Sequence, residues 1–161
     1  MYVYLFLVFF GFLVSSFFGY LVHKILHISK LKVLYKAHME HHLIHYPPND
    51  LTSEKYRKAK FFNSGTFLFT PPLLSILTIA NLILYYLDFD AIKVLVFSIS
   101  MIMYAILTDL IHDSFHLNNC FLKKSKFYMK MREKHFIHHR NMKKNLGIIS
   151  SEFDYIFKSH K

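Results

Sequence analysis

Three apolar runs, each about twenty residues long and nearly free of charge, constrain this chain more than any other feature: Met1 to Val22, Phe67 to Leu87 and Ala91 to Ile111. As a helix, such a run crosses a hydrocarbon core of roughly 30 Å while satisfying its own backbone hydrogen bonds. Only small residues, Gly11, Ser15, Ser16 and Gly19, punctuate the first run. No basic segment precedes it and no small-residue cleavage site stands before His23, so it reads as a span and not as a secretory signal. The second and third runs are separated only by Asp88, Phe89 and Asp90, which makes them a hairpin, and Pro71 and Pro72 mark a late start or a kink in its first arm. The expected fold is an all-α integral membrane protein with about three to four transmembrane helices, residues 1–161 forming a single domain.

Counting crossings puts both polar segments, 23–60 and 112–161, on the same side. Eight of the 20 Lys and Arg residues lie in the first segment and eleven in the second, leaving only Lys93 beside the acidic hairpin. The positive-inside rule makes that shared face cytoplasmic, in a bacterial inner membrane or the endoplasmic reticulum. A net charge of +10 placed beside spans suits anionic headgroups, and no nucleic-acid partner is expected. Cys120 is the single cysteine, so any metal must be held by nitrogen and oxygen.

Eleven of the twelve histidines fall in two groups: His23, His27, His38, His41, His42 and His45, then His112, His116, His135, His138 and His139. Each group opens with HxxxH at the end of a span and continues with HxxHH. Residues three or four apart share a helix face, so each box presents its imidazoles as a patch. Four patches on one membrane face can converge on one site, and ten imidazoles are too many for one first-row metal and enough for two. Burying so many rings requires them to be neutral, with lone pairs aimed at an acceptor, for which a metal is the economical answer. His45 and His160 read instead as helix-end partners. Among the carboxylates, Asp109 shares the face of His112 and is the preferred orienting partner of that ring. Asp113 turns about 100° away and reads equally as a second partner or as a solvated charge. Glu40 and Glu133 sit at the HxxHH boxes, as orienting groups or as exposed charges.

In HKILH (His23 to His27), HMEHH (His38 to His42), DLIHDSFH (Asp109 to His116) and HFIHH (His135 to His139), taken in order, the chain resembles the fatty acid hydroxylase superfamily, which includes sterol C4-methyl oxidases, sterol desaturases and carotene hydroxylases. The tail NLGIISSEFDYIFKS (Asn145 to Ser159) is similar to the segment after the last box of fatty acid 2-hydroxylases. Within it, Ser151 with Asp154 resembles a capping box opening a short last helix, whose Phe153, Tyr155, Ile156 and Phe157 would pack it on the domain or the membrane surface. Three departures are visible. The first box has three intervening residues, as in the sterol oxidases, where fatty acid 2-hydroxylases have four; the 161 residues contain no cytochrome b5-like stretch; and there are three clear apolar runs where the family often has four spans.

The resemblance implies two iron ions held by His23, His27, His38, His41, His42, His112, His116, His135, His138 and His139, with zinc able to replace iron in a purified sample. It also implies O2 as co-substrate, a lipid substrate, and electrons from an external donor such as a cytochrome b5, a ferredoxin or a reductase. The expected reaction is hydroxylation or desaturation of a lipid, foremost a fatty acyl chain. Residues 45–57, HYPPNDLTSEKYR, form an expected lid in which Pro47 and Pro48 block helix, and Lys55, Arg57, Lys58 and Lys60 are placed to meet a phosphate or carboxylate, or simply to be solvated. The competing class is a histidine-rich protein that binds or transports metal, which calls for ligands along the spans, whereas here they gather at one edge. A structural membrane protein with incidental histidines would not repeat the boxes in register with the spans.

Overall fold

The computed structural model describes residues 2–57 and 65–161, with side chains omitted at 65–69. Its regular structure is helical: α1 Tyr2–Leu26, α2 Lys32–Glu40, α3 Gly65–Tyr86, α4 Ala91–Phe115, α5 Lys126–Arg140 and α6 Glu152–Ile156. The described residues hold no strand, only an isolated parallel bridge between Ser53 and Leu117.

Helices α1 and α4, with mean hydropathies of 2.3 and 2.2, are long and apolar enough to cross a membrane, and Thr70–Tyr86 of α3 is a shorter apolar stretch. α1 packs along α4. Gly11 permits the approach, since a Cβ there would collide with the Ser100 side chain and come within 3.1 Å of the Phe97 carbonyl. Leu7, Leu84, Phe97 and Met101 close the core between α1, α3 and α4. Leu5, Phe9, Leu95, Ile99, Ile106 and Leu110 point outward and stay exposed. A helix that is apolar on its outer as well as its inner face is the pattern that lipid, not water, accommodates.

The hairpin turn behaves as the short spacer demands. Asp88 takes a left-handed backbone (φ 60°), and Asp90 caps α4 by accepting from the Lys93 backbone N–H at 2.9 Å. Pro71 and Pro72 lie inside α3, and the Ser75 hydroxyl donates to the Pro71 carbonyl at 3.0 Å. Both long helices outrun the apolar stretches: α1 continues through His23 and α4 through His112 to Phe115. The first histidine of each pair is therefore carried on a helical extension of a long apolar helix.

The capping box expected of Ser151 with Asp154 does not form. Ser151 makes no cap to α6, and its hydroxyl accepts instead from Lys134 Nζ at 2.9 Å. Asp154 is buried and turns back onto the loop, taking the backbone N–H groups of Leu146 and Gly147, each at 2.8 Å, and the Ser159 hydroxyl at 2.7 Å. Two free amides on a tight loop compete better for this carboxylate than one at a helix start. The aromatic expectation is met in part: Phe153 lies 5.1 Å from Phe17 and Phe157 lies 5.2 Å from Tyr20, whereas Tyr155 and Ile156 face outward.

Candidate metal centre

The histidine boxes meet above the ends of α1 and α4, but not as patches. His23, His27, His38, His42 and His138 form one cluster, and His41, His112, His116 and His135 a second, with the ligand atoms of each within 4.8 Å of one another. His139 joins the second, its Nε2 lying 3.1 Å from that of His135. The expectation that each HxxHH box acts as one patch is thereby corrected. His38 and His42 serve the first cluster while His41 crosses to the second, and His135 and His139 serve the second while His138 crosses to the first. Residues i and i+4 share a direction and i+3 diverges by about 60° from the first, so two clusters on either side of a box divide it in this way.

At the first box the division coincides with a change of backbone. α2 gives way at His41–His45 to a π-helical turn, closed by the Tyr46 N–H on the His41 carbonyl at 2.9 Å. One extra residue in the turn, a feature frequent at functional sites, alters the facing of the side chains beyond it. The second box stays on regular α5, with Ser125 as its N-cap.

Four rings are held from behind by backbone carbonyls: His23 Nδ1 on Leu146 O at 2.6 Å, His138 Nδ1 on Lys144 O at 2.8 Å, His116 Nδ1 on Leu51 O at 2.8 Å and His139 Nδ1 on Tyr46 O at 2.9 Å. A carbonyl can only accept, so each Nδ1 carries the proton and each Nε2 presents a lone pair inward. Those Nε2 atoms crowd together. His135 Nε2 lies 3.0 Å from that of His116 and 3.1 Å from that of His139, and His138 Nε2 lies 3.2 Å from that of His27 and 3.3 Å from that of His42. One proton on His135 could answer only one of its two neighbours. The buried Nε2 atoms of His23 and His41 have no hydrogen-bond partner among the described residues. Converging lone pairs without protons to share are the donor set a cation resolves, so the residues fit metal ions.

Burial keeps the rings neutral, as metal ligation requires. It pushes His27 down to about 4 and His139 down to about 3. Burial first, then the neighbouring imidazoles, hold His38, His41, His42, His135 and His138 well below the ordinary histidine value.

His45 lies outside both clusters, bridging Arg57 O at 3.0 Å and Glu40 Oε1 at 3.2 Å, and His160 stacks on Tyr155. Glu133 is exposed. Asp109 lines the adjoining cavity. Asp113 Oδ1 lies 3.7 Å from His112 Nδ1, and Asp113 also accepts a hydrogen bond from the Tyr56 phenol, which burial and that carboxylate push upward.

The segment 46–57 is non-helical, as its prolines demand. Tyr46, fully buried, stacks on His116 at 3.9 Å. Arg57 is tied to Asp50 at 2.7 Å and to the His45 carbonyl at 2.6 Å, and Lys55 is exposed. Lys58 and Lys60 lie outside the described residues. Sequence reasoning missed the roles of Tyr46 and Tyr56, the loop-tying role of Asp154 and the four anchoring carbonyls. The tail motif was the only pointer to Asp154, and carbonyls leave no trace in residue identity.

A cavity of about 740 Å³ opens beneath the clusters. Gly19, Val22, Leu73, Ile76, Met101 and Ala105 form apolar wall from α1, α3 and α4, and His23, His38, His41 and His112 stand at its polar end with Tyr56 and Asp109.

No curated protein and no solved structure matches the chain. A family model described as fatty acid hydroxylase matches residues 8–159 and takes in all four histidine boxes. With nearly its whole length matched, the chain belongs to the fatty acid hydroxylase family, membrane-associated oxidoreductases that use iron.

Proposed function

We propose that this protein is an O2-dependent oxygenase that hydroxylates, or desaturates, a fatty acyl chain at a two-iron centre on the cytoplasmic side of the membrane. The observation that carries the reading is the junction of two five-imidazole clusters with an apolar cavity between membrane helices. The ten histidines would hold the metals, which when bound supply the redox chemistry on O2. For hydroxylation the balance is R–H + O2 + 2 e⁻ + 2 H⁺ → R–OH + H2O, with the electrons from an external one-electron donor.

The chain's own residues bind and orient. The cavity admits an apolar tail from the bilayer and brings one C–H to the histidine end, so position is selected by how deep the chain inserts. The carbonyls behind His23, His116, His138 and His139 fix tautomer and ring angle before metal arrives. Tyr46, stacked on His116, and the 46–57 segment shield the second cluster from water. The Tyr56–Asp113 pair is the polar couple beside that cluster suited to hold a proton near the reacting carbon.

The test is elemental analysis with lipid mass spectrometry on membranes expressing the wild type or His138→Ala/His139→Ala. About two iron ions per chain, and a lipid that gains one oxygen or loses two hydrogens only with the wild type, are expected given one metal per cluster. Metal bound with unchanged lipids under aerobic, reductant-replete conditions would favour metal binding or transport instead, and absence of metal would remove the site.

A further inference from the structure

The reaction balance requires electrons from outside, and the outer face of α5 offers one place for them to enter. A groove there is lined by Lys124, Lys126, Lys130 and Arg140, with Glu133 as its one carboxylate and Phe136 in its floor. Phe136 reaches inward, its ring 6.0 Å from that of His116 and 6.5 Å from that of His135, both in the second cluster. Arg132 fixes that ring. Its guanidinium lies 4.7 Å above Phe136 and is itself held by the carbonyls of Phe115 at 2.7 Å and Leu117 at 3.3 Å. Here, then, a strongly cationic surface is separated from metal-binding imidazoles by the thickness of one aromatic side chain.

We infer that this groove is the docking surface of a small acidic one-electron carrier protein, which delivers electrons to the second cluster past Phe136. The inference rests on the oxygenase reading. Each docking passes one electron, leaving the carrier oxidised by one unit, and two dockings supply the two electrons of the balance. Cations at the rim steer an acidic partner and set its orientation. Met129 and Phe136 give the apolar centre that such a contact desolvates. Electron transfer falls off exponentially with separation, so a partner seated here is favoured over one seated on a remote face. An anionic lipid headgroup would answer the charge but gives no account of the path to His116 and His135.

The test uses the full chain in phosphatidylcholine nanodiscs, with two probes: the soluble haem domain of a cytochrome b5 and a [2Fe–2S] ferredoxin, both acidic. The charge reversal Lys126→Glu/Lys130→Glu should weaken binding of at least one carrier about tenfold or more, and wild-type affinity should fall steeply with salt. Lys126→Arg/Lys130→Arg should restore it, and Lys30→Glu, an exposed change outside the groove, should not alter it. Unchanged affinity on reversal, with an unchanged unfolding temperature, overturns the inference. So does loss of co-purifying phosphatidylglycerol with carrier affinity intact, which would assign the groove to lipid. If the wild type oxidises lipid with dithionite while carrier affinity ignores the reversal, the docking surface alone falls. If the carrier binds as expected but no lipid is oxidised with either reductant, the oxygenase reading falls.

Discussion

The rings of His42 and His139 stack 4.2 Å apart with 30° between their planes, although one belongs to each cluster. This pair is the shared wall of the two sites. His42 comes from the π-helical turn and His139 from the last turn of α5, and the Tyr46 carbonyl behind His139 keeps the second ring from swinging away. Two neutral rings stack where two protonated ones would repel in a buried setting, so the wall itself depends on the imidazoles staying uncharged.

The crossing of His41 and His138 gives a stoichiometric prediction. His41→Ala/His42→Ala, adjacent in sequence, should strip both metals, whereas His41→Ala/His112→Ala should strip one. Each double variant should lower lipid oxidation by about a hundredfold or more, because even residues that only orient a ligand cost about ten- to a hundredfold. Elemental analysis of purified protein decides; equal metal loss in the two variants would refute the division.

Chelator-treated protein should lose stability on mild acidification. His27 and His139 are pushed down to about 4 and about 3, so between pH 6.5 and 4 the unfolded chain binds protons the folded chain refuses. The stabilisation is complete above the unfolded histidine value near 6.5 and drains away as pH falls through the folded values. The unfolding temperature should be flat from pH 8 to 7 and drop steadily from pH 6.5 to 4. A flat profile across that lower window would contradict the buried neutral rings.

Asp154→Asn should loosen the first cluster from behind. The carboxylate ties Leu146 N, Gly147 N and Ser159 Oγ, and the Leu146 carbonyl orients His23. Gly147 leaves room for this, as a Cβ there would meet Asp154 Oδ2 at 2.9 Å. A loss of about 1–3 kcal/mol is expected, the usual cost of breaking buried charge-assisted bonds. It should come with weaker retention of one metal, read by denaturant titration and by metal release to a chelator.

Gly11→Val should disturb the α1–α4 contact, where Ser100 and the Phe97 carbonyl already close on the glycine. Overpacking of this kind costs about 1–3 kcal/mol. Thermal unfolding in detergent should shift downward, while Gly11→Ala should lie between the two.

Gly19 faces open space in the cavity wall. Gly19→Phe should fold normally and shorten the acyl chain accepted, moving the product profile toward shorter lipids in mass spectrometry. An unchanged profile would show that the substrate does not use this cavity.

Much of this was legible in the residues. Apolar runs announced α1, α3 and α4 as helices; α1 and α4 are long and apolar enough to cross a membrane, whereas the described apolar stretch of α3, Thr70–Tyr86, is shorter. The boxes announced ten of the twelve histidines as converging, and the geometry gathers those ten as two adjoining clusters with His45 and His160 outside them. Less legible were the partners. The spacing that put Asp109 on the His112 face gave no sign that Asp113 would also come within 3.7 Å of that ring, because an ideal helical wheel takes no account of ring rotation at a helix end.

The sequence by itself determined the long apolar helices and which imidazoles gather beyond them, since both depend on local quantities: run length, side-chain polarity and spacing along one helix. Only the tertiary structure decided how the imidazoles divide. His41 faces His112 and His116 while its neighbour His42 faces His38 and His138, a choice set by where the ends of α1, α4 and α5 come to rest on either side of the box. The same holds for the carbonyls of Leu51, Tyr46, Lys144 and Leu146 that aim the rings. Every residue has a carbonyl, so its role is written only in the fold that brings it to a histidine.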